Sequence, residues 1–453
     1  AGHRHPVYFQ AVKLRAPEKM KTVLTGFLAL LMSLVGLNAM AVLTIEITEG
    51  GDSGIPIAVV PFEFEGGQKP EQGLRSVIAA DLHRSGRFEL LPTGDFLSRP
   101  GHPDQVRFKD WRLIKAEALA VGQISQSGDD RYDVTFHLFD VFKEKQLAGY
   151  RWSVQGSQMR EVAHQISDHI YQAMTGVPGA FDTRIAYVTM ENSSGNERTY
   201  RLMVADSDGH SAQEILRTNF PILSPAWSPS GNQLAYVSFA SRTSGAMIWL
   251  QDIQTGTRSK LLDERGTASA PAWSPDGRRL ALTLSRDGNS DIYVLDIAKR
   301  KLRRLTRHQA IDTEAAWSPN GRYIVFTSDR TGRPQIHRMS ITGGPAELLT
   351  HEGRENARAS YGPDGNSMVL VTNRGKGYRI GVFYVDSGKV DVLTDGTLDE
   401  SPTFAPNGAM ILYATQRGSQ GVLAAVSADG RVKQILKLHQ GEVREPAWSS
   451  RSP

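Results

Sequence analysis

Pro271-Ala-Trp-Ser-Pro-Asp-Gly277 is the stretch that decides the fold, because variants of it recur along the chain. The aromatic position of this motif is filled six times, by Trp227, Trp273, Trp317, Tyr361, Phe404 and Trp448. Successive aromatics lie 46, 44, 44, 43 and 44 residues apart. A repeat of about 40 to 45 residues is typical of the blades of a β-propeller. The sequence therefore predicts that most of the chain is a propeller.

Each repeat has the pattern of four short strands separated by turns. In the unit of Trp273 the predicted strands are 270–274, 279–284, 291–296 and 301–306. Pro275-Asp-Gly277 forms the first turn, since Pro fixes φ and Gly accepts a positive φ. The last strand is charged, which protects an exposed sheet edge. The repeated aromatic is expected to pack between neighbouring sheets, and stacking on a ligand is the alternative.

The number of blades follows from two incomplete units. Five complete units begin at the first five aromatics, whereas residues 184–217 have only the second, third and fourth strands of a unit. Glu445-Pro-Ala-Trp448 supplies a first strand without a unit. Together the fragments make a sixth blade, which closes the ring and leaves no open edge. The predicted fold has two domains: an N-terminal α/β domain with a mixed sheet, and a C-terminal six-bladed all-β propeller closed by the C-terminal strand.

The beginning of the sequence has the pattern of a targeting segment. Met20-Lys21 is followed by an apolar run over 23–37 and by Ala39-Met-Ala41, which is typical of a cleaved secretory signal peptide. A membrane anchor is the alternative, although the run is shorter than the roughly 20 residues of a span. The predicted division is 1–41 upstream residues and signal peptide with a start at Met20, 42–175 α/β domain, 176–182 linker and 183–453 propeller. In a Gram-negative cell the exported product would lie in the periplasm.

The elements of the N-terminal domain follow from its periodicity. Strands are predicted from Ile55, over 88–91 and 120–125, and as a hairpin of 132–142 and 147–154. Helices are predicted over 71–84 and 110–119, and a third has its apolar face from Met159 to Met174.

Composition excludes several classes of function. The chain has 52 Lys and Arg against 48 Asp and Glu, and residues 1–41 hold five of the former and one of the latter. The remainder is therefore balanced, which argues against nucleic-acid binding by bulk charge. There is no cysteine, so disulfides and thiolate metal sites are excluded. No nucleophile elbow or metalloprotease motif is present, and the 12 His do not cluster. We therefore predict no catalytic residues, no metal and no cofactor.

Function is expected at the mouth of the propeller, where the loops that enter each innermost strand converge. The repeat places these positions a few residues before each aromatic, at Ser224, 268–270, 312–314, 355–358, Asp399-Glu400 and Arg444-Glu445. The set contains both signs of charge, which suits a protein or peptide surface better than an apolar small molecule.

The segment Val42–Ser53 is short, acidic and contains Gly. Such a segment is either free to add a strand to a partner or an edge strand of its own domain. The sequence does not decide between these two interpretations.

Several runs of sequence closely resemble the TolB family of the Tol-Pal system. They are 52–62 (DSGIPIAVVPF), 183–188 (TRIAYV), 224–229 (SPAWSP), 327–335 (TSDRTGRPQ) and 398–402 (LDESP). The resemblance extends from Met20 to Trp448. It implies a non-enzymatic periplasmic scaffold, a monomer without a membrane span or a nucleic-acid ligand. The alternative is an exported peptidase or glycan-processing enzyme of the propeller type.

The resemblance also implies partners and sites. The lipoprotein Pal would bind at the mouth, at Thr267, Ala270, Asp312, Thr313, Glu314, Glu355, Arg358, Asp399, Glu400 and Glu445. TolA would bind the N-terminal segment, at Val42, Leu43, Thr44, Ile45, Glu46, Ile47, Thr48, Glu49 and Asp52. Thr267 departs from the family, since some members have His there. Other Tol proteins, outer-membrane proteins and colicins are further expected partners, and the implied roles are outer-membrane integrity, constriction at cell division and colicin import.

Overall fold

The structure is a computed structural model that describes residues 44–47, 54–67, 73–192, 197–241, 244–262, 266–436 and 441–451, with the backbone alone for 44–47. The predicted signal peptide lies outside the described residues, as do Val42, Leu43, Thr48, Glu49 and Asp52. Residues 41–453 form one compact unit.

The N-terminal domain is an α/β domain with a mixed sheet, as predicted. After β1 (Thr44–Ile47), which pairs with the propeller, its strands are β2 (Ile55–Val59), β3 (Glu63–Glu65), β4 (Phe88–Leu90), β5 (Ala118–Gly128), β6 (Arg131–Asp140) and β7 (Lys145–Gln155). Its helices are α1 (Leu74–Arg84), α2 (Phe108–Leu113) and α3 (Met159–Thr175). The strand order is β4-β2-β5-β6-β7, with β3 beside β5. Strand β2 is parallel to β4 and β5, whereas β5, β6 and β7 are antiparallel.

Both faces of this sheet are covered. Helices α1 and α3 pack on one face and bury a cluster that includes Ile78 and Ile166. Helix α2 covers the other face with Trp111, which is 1% exposed. The helix predicted over 110–119 was too long at its C-terminal end, because the chain turns at Lys115, where φ is 60°. Ala118 then pairs with Ile57 as the first residue of β5.

The propeller has six sheets around one axis. Its first three strands are β8 (Arg184–Asn192), β9 (Arg198–Asp206) and β10 (Gln213–Thr218). Blade 1 contains β11 (Ile222–Trp227), β12 (Gln233–Phe239), β13 (Ala246–Asp252) and β14 (Arg258–Leu262). Blade 2 contains β15 (Ala268–Trp273), β16 (Arg279–Leu284), β17 (Asp291–Asp296) and β18 (Lys301–Arg304). Blade 3 contains β19 (Asp312–Trp317), β20 (Tyr323–Ser328), β21 (Gln335–Ser340) and β22 (Glu347–Leu348).

Blade 4 contains β23 (Glu355–Tyr361), β24 (Ser367–Asn373), β25 (Tyr378–Tyr384) and β26 (Lys389–Val392). Blade 5 contains β27 (Glu400–Phe404), β28 (Met410–Arg417), β29 (Gln420–Ser427) and β30 (Val432–Leu436). The last strand, β31 (Glu442–Trp448), is antiparallel to β8 and completes blade 6 in the order β10-β9-β8-β31. The predicted six blades and their closure by the C-terminal strand are therefore confirmed.

Three of the four tryptophans of the repeat join their blade to the one before it. Nε1 of Trp227 donates to the Ala447 carbonyl, and Nε1 of Trp273 donates to the Ala226 carbonyl, both at 3.1 Å. Trp317 makes the same bond with the Ala272 carbonyl at 3.1 Å. These bonds place the indoles between neighbouring sheets, where each satisfies its only polar group.

Strand β1 resolves the open question about the N-terminal segment for residues 44–47. It pairs with the outermost strand of blade 5, β30, so that this sheet has five strands. The pairing is antiparallel, with Thr44 opposite Ile435 and Ile47 opposite Val432. Residues 44–47 are thus an edge strand of the propeller rather than of the N-terminal domain.

A buried polar cluster joins the N-terminal domain to the propeller. Nδ1 of His164 on α3 lies 2.7 Å from Oδ2 of Asp81 on α1, and the two side chains are 3% and 0% exposed. Arg84 on α1 pairs with Asp81 at 3.0 Å and donates to Oγ of Ser207 in the propeller at 2.9 Å. Arg84 also lies 3.9 Å from Asp208 of the propeller.

Further ion pairs complete this cluster. Arg160 on α3 pairs with Asp206 at 3.1 Å and also contacts Asp208. Asp81, His164 and Asp208 have the spacing of metal ligands. Because guanidinium groups already neutralise both carboxylates, we assign no ion to this site.

The cluster shifts the pKa of two of its members. Burial alone would lower the pKa of His164, but the charge of Asp81 and its hydrogen bond outweigh burial and raise it. Burial would raise the pKa of Asp208, but Arg84 and Arg160 lower it to about 2. Protonated His164 therefore stabilises the folded state below its unfolded pKa of about 6.5, and this contribution is lost as the pH rises through the folded pKa.

We expect the His164→Gln variant to lose this part of the pH dependence. The native chain should lose stability as the pH rises above about 6.5, whereas the variant, which cannot be protonated, should show a flatter profile. The measurement is thermal unfolding between pH 5.5 and 8.5. His83→Gln is the matched control, since His83 lies exposed on α1, the helix that carries Asp81. Equal pH slopes in the native chain and in the His164 variant would contradict the assignment.

Candidate functional site

The six innermost strands share one register, which orients the residues at the mouth. The mouth is the face at which these strands begin, at residues 222, 268, 312, 355, 400 and 442. The residue five positions before each aromatic is buried in every blade: Ile222, Ala268, Asp312, Asn356, Asp399 and Val443. Residues on either side of this position are therefore the ones that can face a partner.

A bulge follows in each innermost strand. The residue three positions before each aromatic has φ between 49° and 55°: Ser224, Ala270, Glu314, Arg358, Ser401 and Glu445. The register of each strand with its neighbour shifts at this point. Residues other than glycine rarely adopt this conformation, and strained backbone tends to occur at functional sites. The same six residues line the central channel.

Three of these residues form an ion-pair network in the channel. Nη2 of Arg358 lies 3.0 Å from Oε2 of Glu445, and its Nε lies 3.6 Å from Oε1 of Glu314. Glu314 also accepts hydrogen bonds from the backbone N–H of Arg358 at 3.1 Å and from Thr327 at 2.9 Å. The Ser224 N–H donates to Glu445 at 3.2 Å. One cation from blade 4 thus bridges carboxylates from blades 3 and 6.

The network determines the charge state of its members. Burial would lower the pKa of Arg358, but the carboxylates of Glu445 and Glu314 raise it. Burial, and next the charge of Glu445, raise the pKa of Glu400 above its usual range. The guanidinium of Arg358 therefore stays charged.

Two of the residues predicted to line the mouth are buried beneath its surface. Asp312 is fully buried, and Nη2 of Arg330 lies 2.8 Å from each of its oxygens. Asp399 is 1% exposed and accepts from Thr394 at 2.5 Å and Thr415 at 2.6 Å. Both carboxylates hold the loops of the mouth in place and have no surface to offer a partner.

The remaining predicted residues are spread between rim and channel. Thr267 is exposed, and Thr313 is partly exposed and accepts from Oγ1 of Thr283 at 3.3 Å. Glu355 accepts from the Tyr378 hydroxyl at 2.8 Å. Ala270 lies at its bulge inside the channel rather than at the rim.

Sequence reasoning missed the apolar residues of this face. Ile311 is 52% exposed and Leu398 is 39% exposed, although each directly precedes the buried carboxylate of its strand. Leu223 is 39% exposed and Tyr378 is 36% exposed. The repeat contained the signal, since Ile311 and Leu398 occupy the same position, six residues before their aromatics. Exposed apolar side chains around a polar centre are typical of a protein-binding surface.

Comparison with known proteins identifies the family. The family model described as "TolB amino-terminal domain" matches residues 43–147, and the one described as "TolB beta propeller domain" matches residues 171–452. The chain belongs to the TolB family. This confirms the family predicted from the sequence runs. Among the described residues of this TolB-family chain, no helix has both the length and the apolar character that crossing a membrane requires.

The relatives of this TolB-family chain are similar over nearly its whole length. The Tol-Pal system protein TolB of Nitrosococcus oceani is 53% identical over 94% of this chain and 97% of the relative. The protein of that name in Alcanivorax borkumensis is 51% identical over 93% and 96%. The crystal structure of TolB from Acinetobacter baumannii is 40% identical, with a TM-score of 0.82, and covers 90% of this chain and 100% of that one.

We expect Arg358→Met to destabilise the propeller by about 2 kcal/mol, less than the cost of breaking a fully buried ion pair, because the three side chains are 16% to 28% exposed. The variant leaves Glu314 and Glu445 facing each other without a cation, although water in the channel reduces the effect. Urea unfolding checks the value. Arg358→Met combined with Glu445→Gln should recover part of the loss. A double variant as unstable as the sum of the two single variants would contradict the pairing.

Proposed function

We propose that this chain is a periplasmic component of the Tol-Pal system and a binding scaffold rather than an enzyme. The relatives that match its whole length are named Tol-Pal system protein TolB. The charged groups of its channel pair with one another, which leaves them stabilised rather than poised for chemistry. The envelope roles that the family implies are outer-membrane integrity, constriction at division and colicin import, and they belong to this proposal.

The first binding surface is the mouth of the propeller, where we propose that the lipoprotein Pal docks. The observation that carries this proposal is the combination of exposed Ile311 and Leu398 with a charged channel between them. Protein interfaces have an apolar centre with polar groups that fix orientation. A rigid ring of six strands holds such a surface without a large loss of entropy on binding.

The proposed Pal contacts are those predicted residues that have surface to offer. They are Thr267, Ala270, Thr313, Glu314, Glu355, Arg358, Glu400 and Glu445, to which Ile311 and Leu398 are added. Asp312 and Asp399 take part indirectly, because they hold the backbone on which Ile311, Thr313, Leu398 and Glu400 lie.

The second surface is the N-terminal segment 42–53, which we propose binds TolA. Its described part, Thr44–Ile47, lies on the outermost strand of blade 5, whereas the mouth is built from innermost strands. The two surfaces are thus formed by different parts of the sheet, which supports separate binding of the two partners. A strand at the edge of a sheet is suited to recognition by strand addition.

We expect Ile311→Asp and Glu314→Lys each to weaken binding of Pal about tenfold or more. The first substitution removes apolar surface, and the second reverses a charge at a partly desolvated contact. Calorimetric titration with purified Pal measures both. Glu89→Lys is the matched control, since Glu89 is an exposed carboxylate on β4 of the N-terminal domain.

A loss of Pal binding must be distinguished from a loss of folding. Because Glu314 also pairs with Arg358, Glu314→Gln and a thermal melt of each variant separate a lost contact from a disturbed channel. Unchanged affinity in the folded Ile311 and Glu314 variants would remove the mouth from the proposal.

Deletion of residues 42–53 should abolish TolA binding and leave Pal binding intact. Strand β30 keeps its pairing with β29, so the blade does not depend on β1 for its fold. A pull-down with both partners in parallel measures the effect. Loss of both partners at once would argue against two separable sites.

A further inference from the structure

One segment of the propeller is far more basic than any equivalent segment. Residues 298–308 (AKRKLRRLTRH) contain six Lys and Arg and no Asp or Glu. They form the turn after β17, the outermost strand β18 and the start of the following loop. Since the chain beyond residue 41 has balanced charge, this segment is a local concentration of positive charge.

The other blades show that edge protection does not require so much charge. The equivalent segment of blade 3, 341–350, has one Glu and no basic residue. In blade 4, 385–394 has two Asp and one Lys, and in blade 5, 428–436 has one Asp, one Arg and one Lys. Strands β22 and β26 have the same exposed edge, and one to three charges, with no excess of positive charge, suffice there. The charge on β18 therefore calls for a different explanation.

The cations of blade 2 continue onto blade 3. Nη2 of Arg303 donates to the Ile341 carbonyl at 2.6 Å, and the Ile341 N–H donates to the Arg322 carbonyl at 2.9 Å. The Ile297 N–H in turn donates to the Arg278 carbonyl at 3.1 Å. We call the resulting set the basic rim: Arg278, Arg300, Lys301, Arg303 and Arg322, all of which are exposed.

The basic rim is not neutralised by its surroundings. Within the part of the chain that the structure describes, none of its five members forms an ion pair. The nearby carboxylates are paired with other cations: Asp296 with Lys299 at 3.8 Å, Asp276 with Arg279 at 3.4 Å, and Glu347 with Arg338 at 2.8 Å. The rim thus presents five uncompensated positive charges to the solvent.

The position of the rim leaves it accessible when the mouth is occupied. Arg278 and Arg322 follow the turns at the ends of β15 and β19, on the face opposite the mouth. Contacts with the N-terminal domain involve blades 5 and 6, such as Asn407 with the Pro178 carbonyl at 3.0 Å and Ser207 with Arg84.

The chemistry of the rim indicates an extended anionic partner with phosphate groups. Four of its five members are Arg, whose planar guanidinium binds phosphate oxygens in pairs. Tyr323 follows Arg322 in the sequence and is a large side chain that is 38% exposed. A tyrosine is suited to the headgroup level of a bilayer, with its ring in the apolar layer and its hydroxyl in water. We propose that the basic rim binds the phosphate headgroups of an anionic lipid surface.

Vesicle binding tests the proposal. The chain without the predicted signal peptide, residues 42–453, is sedimented with vesicles of phosphatidylcholine alone and of phosphatidylcholine with phosphatidylglycerol, at low and at moderate salt. We expect binding only to the anionic vesicles, weakened by salt because surface charges are screened. Each Lys or Arg near an anionic surface strengthens binding several-fold, so Arg300→Glu/Lys301→Glu/Arg303→Glu should weaken it roughly tenfold or more.

A matched variant controls for net charge. Lys109→Glu/Lys145→Glu/Lys389→Glu makes the same change in charge at exposed sites on α2, β7 and β26, and should still bind. Thermal melts check that both triple variants are folded. Equal loss in both variants, or native binding that does not depend on anionic lipid, would overturn the proposal. Stronger binding to soluble polyphosphate than to the vesicles would also overturn it.

Discussion

The antiparallel pairing of β31 with β8 is the constraint on which the propeller depends. It joins Trp448 to Ile185 and Glu442 to Met190, residues about 250 to 260 positions apart in the sequence. Without it, blade 6 would lack its innermost strand and the ring would have an open edge. The same strand brings Glu445 to Arg358. Closing the ring therefore also completes the charge network of the channel.

The bulge repeated in each innermost strand explains how charged residues reach the axis. A regular strand would alternate its side chains between the two neighbouring blades, where a charge is costly to bury. A left-handed residue breaks that alternation and turns Glu314, Arg358 and Glu445 into the channel. Each such residue other than glycine costs about 1 to 2 kcal/mol. The tightly packed blades on either side hold the conformation against this cost.

The sequence predicted the features that recurring residue types mark and missed those without a shared side-chain pattern. The aromatics of the repeat gave the blade number and the closing strand, because a blade cannot bury its faces alone. The bulge could not be foreseen, since Ala270, Ser401 and Arg358 share no feature of their side chains. Asp312 and Asp399 were expected at the surface because carboxylates usually lie there, yet Arg330 and two threonines satisfy them inside. Strand β1 depends on a partner, β30, nearly 400 residues away, which local patterns do not show.

The late position of β31 also has a kinetic consequence. Blades 1 to 5 are each contiguous in sequence and can form as soon as their own strands have left the ribosome. Strands β8, β9 and β10 must wait for β31, so an incomplete blade stays open throughout synthesis. Contacts of such long sequence separation form slowly, and unpaired strand edges expose a chain to aggregation. The arrangement therefore allows the ring to close only once β31 is present.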